Sequence, residues 1–109
     1  MNIDFGKTAL SVIPNFKGGE KEMSSRMYSD GMNKIMKNTL APGASIGMHT
    51  HEDSSEIIFI TSGRGSVICD GVKEPVYAGL CHYCPKGHTH SLINDSDEDL
   101  EFLAVVPVQ

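Results

Sequence analysis

The stretch GMHTHEDSSE, Gly47 to Glu56, sets His49 and His51 one residue apart and follows them with Glu56 after a short polar run. In a β-strand, residues i and i+2 project to one side with Cα atoms about 6.6 Å apart, so two imidazoles at that spacing can converge on one ion about 2.1 Å from each nitrogen. Glu56 lies beyond the bend EDSS and can return along the next strand with a carboxylate oxygen, and His90, in the later run HTHSLI, could complete the set. Three neutral imidazoles and one carboxylate leave a divalent cation with net positive charge, and an octahedral ion would keep positions for water or substrate. Taken singly, each piece has a plainer explanation: H-x-H as surface histidines, Glu56 as a strand-edge charge, His90 as a histidine hydrogen-bonded near the core.

The elements that must position these side chains are short. From Met32 onward, runs rich in β-branched and apolar residues are each closed by turn chemistry: MNKIMKNTL before APG, EIIFIT before SGRG, SVIC before DG, LCHYC before PKG, HSLI before NDSDED, and LEFLAVV before Pro107. Strands broken this often by Gly, Pro, Asn and Asp predict an all-β sandwich or barrel. Asp70-Gly71 predicts a tight hairpin with positive φ, and EIIFITSGRGSVICDGV reads as consecutive antiparallel strands. Alternation places Glu56, Ile58 and Ile60 on one face and Ile57, Phe59 and Thr61 on the other, with apolar bulk on both. Residues 1–31, interrupted by Pro14 and Gly18-Gly19, are expected to form an irregular N-terminal arm with possible edge strands; residues 32–109 form the barrel, within one domain overall.

Composition narrows the function classes. The chain has 109 residues, enough for one hydrophobic core, with 21% charged and 39% hydrophobic residues and a formal net charge of -5. Acids dominate beyond Thr50, most densely in DSDEDLE, which reads as a solvated turn. No basic stripe is present, so nucleic acid is not expected as a partner. No apolar run approaches the roughly 20 residues that span a bilayer, and the N-terminus has no basic region leading into a long apolar stretch, so no membrane association is expected and a soluble, cytoplasmic protein is. Cys69, Cys81 and Cys84 are an odd number of thiols in a domain that folds without staples, which suits a reducing cytosol and predicts no disulfide.

Gly43, His49, His51, Glu56 and Gly63 stand at the spacing G-x5-H-x-H-x4-E-x6-G, and Gly79, Pro85, Gly87, His90 and Asn94 at G-x5-P-x-G-x2-H-x3-N, in order and separated by residues 64–78. Together they resemble the two motifs of the cupin superfamily, as found in small single-domain members, and span about half the chain. The resemblance implies a double-stranded β-helix, a small jelly-roll β-barrel, with His49, His51, Glu56 and His90 as metal ligands at its mouth. It also implies a homodimer formed through an edge strand. Pro85 fixes the turn leading to His90, and Asn94 is expected to hold the next turn through its side chain.

CHYCPKGHTH offers a rival thiolate-imidazole site from Cys81, Cys84, His88 and His90, but its spacing is far too compressed for a zinc finger, and in a strand Cys81 and Cys84 face opposite sides. His88 is either a solvent-exposed loop histidine or a catalytic acid/base near the metal; His82 shares the parity of Cys84. Met27, Met32, Met36 and Met48 are expected to fill the core or shape an adaptable pocket. Arg26, Tyr28 and Lys37 are candidates for holding an anionic substrate, or else solvated strand residues. The ligand set suits Mn, Fe, Co, Ni, Cu or Zn. The expected function is an enzyme acting on a small oxygenated or carboxylated molecule with the metal as Lewis acid or O2 activator, and the resemblance to cupins implies an oxygenase, isomerase or lyase type. The alternative is a non-enzymatic, metal-dependent binder of a sugar or organic acid.

Overall fold

The structure is a computed structural model that describes residues 1–109. Its strands, in chain order, are β1 (Leu10–Pro14), β2 (Glu22–Ser29), β3 (Asn33–Leu40), β4 (Ser45–Thr50), β5 (Glu56–Ser62), β6 (Arg64–Cys69), β7 (Val72–Tyr77), β8 (Cys81–Cys84), β9 (Thr89–Ile93) and β10 (Leu100–Pro107). Two three-residue 3-10 turns, Phe5–Lys7 and Phe16–Gly18, flank β1. No helix is long and apolar enough to cross a membrane.

The strands form two antiparallel sheets, one ordered β1-β2-β3-β10-β5-β8 and the other β4-β9-β6-β7. Residues 1–31 thus supply two strands of the larger sheet, with β1 at its edge. The sheets close on each other as a small jelly-roll barrel, a double-stranded β-helix. Period-two alternation makes the core: Leu40 faces Leu100, while Phe102 lies between Asn38 and Ile60, and Ala104 between Met36 and Ile58. Ile46, Val67, Val76 and Leu92 of the smaller sheet meet this layer, and all are buried.

Two expected turns have different outcomes. Asp70 and Gly71 adopt φ of 51° and 81° and join β6 to β7 as a tight hairpin. By contrast, β5 and β6 do not pair: β5 lies between β10 and β8, and β6 between β9 and β7. The chain at Gly63 crosses from one sheet to the other, because both faces of β5 carry apolar residues but its ladder positions are already filled by β8 and β10. The side chain of Asn94, fully buried, donates to the carbonyls of Leu40 and Glu98 and accepts from Ser96, pinning the acidic turn that opens β10.

Gly63 has φ of +86°, and a Cβ there would be driven into the carbonyl oxygen of Asp99; Gly71 has φ of +81° but open space around it. Both positions disfavour an L side chain, and only the first also suffers a backbone collision. Gly63→Ala is therefore expected to cost about 3 kcal/mol and Gly71→Ala about 1 kcal/mol. Urea unfolding midpoints check this, and equal losses at the two sites would contradict it.

Candidate metal centre

His49 sits near the end of β4 and His51 one residue beyond it; His90 lies on β9 directly across from His49, and Glu56 opens β5 across from Cys84. The β4–β9 register shifts between Ile46 and His49, so two residues of β4, Gly47 and Met48, stand against Ser91 alone. This bulge re-aims the end of β4 inward. Gly47 is required there for a second reason: the chain of the Phe16–Gly18 turn presses so closely that a Cβ at 47 would strike the Lys17 carbonyl.

The four side chains converge. His51 Nε2 lies 3.1 Å from His49 Nε2, 3.1 Å from His90 Nε2 and 3.1 Å from Glu56 Oε1, and His90 Nε2 lies 2.9 Å from Glu56 Oε1. His49 Nε2 is 3.9 Å from the same oxygen. Two donors about 2.1 Å from one ion and at right angles are separated by about 3.0 Å, so these spacings are those of neighbouring ligands around a transition metal.

The outer ring nitrogens explain which atoms point inward. His49 Nδ1 donates to the Gly47 carbonyl at 2.7 Å, an acceptor that requires a proton on Nδ1 and leaves the lone pair on Nε2. His51 Nδ1 meets Ser54 Oγ at 3.2 Å, and His90 Nδ1 meets His82 Nε2 at 3.0 Å. Burial pushes the His82 ring below its ordinary value, with His90 adding to the effect, so it is neutral near pH 7. A partner on Nδ1 fixes tautomer and ring angle in histidines that ligate a metal. Burial pushes the Glu56 carboxyl up, but the rings of His49, His51 and His90 outweigh it and hold the group well below the usual carboxylate range. The donor set thus fits a divalent transition cation: it carries one carboxylate, is buried at Glu56 and His90 and half-buried at His49 and His51, and is built of nitrogen and oxygen.

The cluster borders a cavity of about 310 Å³ whose wall includes Met23, Met27 and Met36, the polar Ser25 and Asn38, and at its rim Lys17, Lys34, Glu52 and Asp53. Met48 is exposed and Met32 lies outside this cavity. His88 is not brought to the cluster: its Nδ1 meets Asp70 Oδ2 at 2.5 Å on the barrel surface, lowering the Asp70 carboxyl. Arg26, Tyr28 and Lys37 do not line the cavity either; Arg26 donates to the Thr8 carbonyl and Tyr28 to Asp30. Sequence reasoning left His82 unplaced, although its parity with buried Cys84 was the available signal.

The Cupin domain family matches residues 36–106. A curated relative from Thermotoga maritima, "Oxalate-binding protein", is 36% identical over 100 residues, covering 86% of this chain and 83% of its own. Among solved structures, a predicted oxalate decarboxylase from Thermotoga maritima superposes with a TM-score of 0.93 at 30% identity, over 100% of both chains. A cupin-superfamily sugar phosphate isomerase from Silicibacter pomeroyi shares the fold, with a TM-score of 0.78 at 23% identity, over 100% of this chain and 76% of that one.

The three cysteines are free, and Cys81 and Cys84 face opposite sides of β8, one exposed and one buried. No shared thiolate-imidazole site forms. Cys84 pairs in register with Glu56, and Cys69 with His90. Burial, reinforced by Cys69, pushes the Cys84 thiol up to about 12. At pH 8, iodoacetamide is expected to alkylate Cys81 in the folded protein and to leave Cys84 unmodified until denaturation. Peptide mapping by mass spectrometry reads the outcome; comparable labelling of both in the native state would contradict it.

Proposed function

We propose that this chain, which belongs to the cupin domain family, holds a divalent transition metal on His49, His51, Glu56 and His90 and uses it to take up a small carboxylated or oxygenated molecule in the adjoining cavity. The observation that carries the reading is the convergence of four electron-pair donors at the wall of a space of about 310 Å³, the size of a small organic acid rather than a polymer. The relative named for oxalate binding and the neighbour described as a predicted oxalate decarboxylase support a short carboxylate as ligand. When bound, such an ion supplies a Lewis acid that polarises a ligand oxygen. The chain's own contributions are orientation, through Gly47, Ser54 and His82 behind the rings, and exclusion of bulk water by the methionine wall.

Turnover, of oxygenase, isomerase or lyase type, is the second reading, and Glu52 and Asp53 favour it. Their carboxylates line the same cavity and could accept or return a proton at a bound acid. We further propose a cytoplasmic setting, supported by the three free thiols.

His51→Ala and His90→Ala are each expected to abolish stoichiometric metal in anaerobically purified protein while preserving the β-sheet circular dichroism spectrum. Metal content unchanged from wild type would refute the site. A screen of small acids, sugars and diketones for binding and for consumption then separates capture from turnover.

A homodimer fits the outer face of the larger sheet. Phe59 is 47% exposed and faces Leu103 across the ladder, while Ile57 is flanked by Tyr83, 54% exposed, and Val105. A contiguous apolar sheet face of this kind marks an interaction surface. Light scattering is expected to give a dimeric mass for the wild type and a monomeric one for Phe59→Glu; a monomeric wild type would sink the assembly.

A further inference from the structure

Apart from Glu56 on β5 and His82 on β8, which belong to the metal cluster, the inner face of the larger sheet has a second buried polar place. Ser25 on β2 and Asn38 on β3 are direct cross-strand partners, both point inward, and they are 1% and 2% exposed. Around them stand Met23 and Met27 on β2 and Met36 on β3, and all five residues line the cavity beside the histidines. Neither Ser25 Oγ nor Asn38 Oδ1 has a hydrogen-bond partner in the protein. The Asn38 amide nitrogen reaches only the Met36 sulfur, at 3.9 Å, and a thioether is a weak acceptor.

Two adjacent buried polar groups without partners are costly, because each forgoes the bonds it made to water. Apolar side chains of the same size would pack against the methionines at no such cost. A hydroxyl and a primary amide together offer donors and acceptors without charge, which suits the oxygen or nitrogen atoms of a small ligand and does not suit a methyl group. The methionines that screen the pair are unbranched and can shift as a ligand enters.

Resting on the proposed metal-dependent uptake of a small acid, we propose that Ser25 and Asn38 are the specificity pair of the cavity: they hydrogen-bond the end of the acid remote from its metal-ligating head and select a polar end over an apolar one. An acid that leaves the pair unmet carries the penalty of burying it, so discrimination of about 10- to 100-fold is expected.

Oxamate and pyruvate make a pair matched in charge and size. They share an oxo-carboxylate head and end in an amide nitrogen and a methyl group respectively. Calorimetric titration of the Mn-loaded wild type is expected to favour oxamate over pyruvate by that factor. In Ser25→Ala with Asn38→Leu the preference should collapse to within about threefold, with metal content unchanged. In the metal-free state, each single substitution should leave the thermal midpoint no lower than wild type, since each removes an unmet buried polar group.

Equal wild-type affinities for oxamate and pyruvate, a preference that survives the double substitution, or a fall in the metal-free midpoint of both single variants would overturn this inference and leave the metal site standing. A wild type that takes up no metal, or that loads with metal and binds neither acid, would overturn the reading of the site and this inference with it.

Discussion

Four electron-pair donors are aimed at one point. With a proton fixed on His49 Nδ1 by the Gly47 carbonyl, and Nδ1 of His51 and His90 occupied by Ser54 and His82, the three Nε2 atoms and a Glu56 oxygen all lie within 4.8 Å of one another. Such a group repels itself unless positive charge lies among its members, and burial deprives it of water as the remedy. The arrangement is tolerable with protons or a cation in the middle. Much of the local structure serves to hold it: the bulge in β4, the direct pairing of His49 with His90, and the start of β5 at Glu56.

The barrel makes this convergence affordable by distributing the ligands over both sheets. β4 and β9 of the smaller sheet, with His51 just past the end of β4, present three rings, and β5 of the larger sheet brings the carboxylate across the core from them. A displacement of either sheet would open the cluster, so the apolar layer of Phe102, Ile58, Ile46 and Leu92 sets the ligand geometry as well as the stability of the fold. The cavity inherits its character from the same layer, apolar where the methionines lie and polar at the rim and at the Ser25–Asn38 step. A fold shared with a protein described as a sugar phosphate isomerase and another described as a predicted oxalate decarboxylase leaves chemistry to be decided by such local features.

The two faces of the larger sheet have different tasks. Inward, β2, β3, β10 and β5 supply the cavity wall and the core. Outward, Ile57, Phe59, Leu103 and Val105 remain apolar, and the chain leaves Phe59 about half exposed. Alternation with hydrophobic residues at both parities is what a strand buried on both sides requires.

The sequence by itself determined the runs that become β3, β5, β6, β8, β9 and β10, the parity of β5 and β8, the Asp70-Gly71 hairpin and the role of Asn94, because each depends on local spacing or turn chemistry; the full set of four cluster residues followed from the resemblance of the two motifs to those of cupins. Two histidines at i and i+2 share a strand face wherever that strand lies, and an Asp-Gly pair forms its turn without help from distant residues. Only the tertiary structure decided that β5 and β6 belong to different sheets, that His82 rather than His88 stands behind the cluster, and that β2 places Ser25 beside Asn38 in the cavity wall. His82 is placed by a non-local pairing, the register of β8 on β5, and Ser25 by the β2–β3 hairpin, whose first strand follows a stretch broken by Pro14 and Gly18-Gly19. Strand order and register arise from packing the whole inner face at once, which no short stretch of sequence encodes.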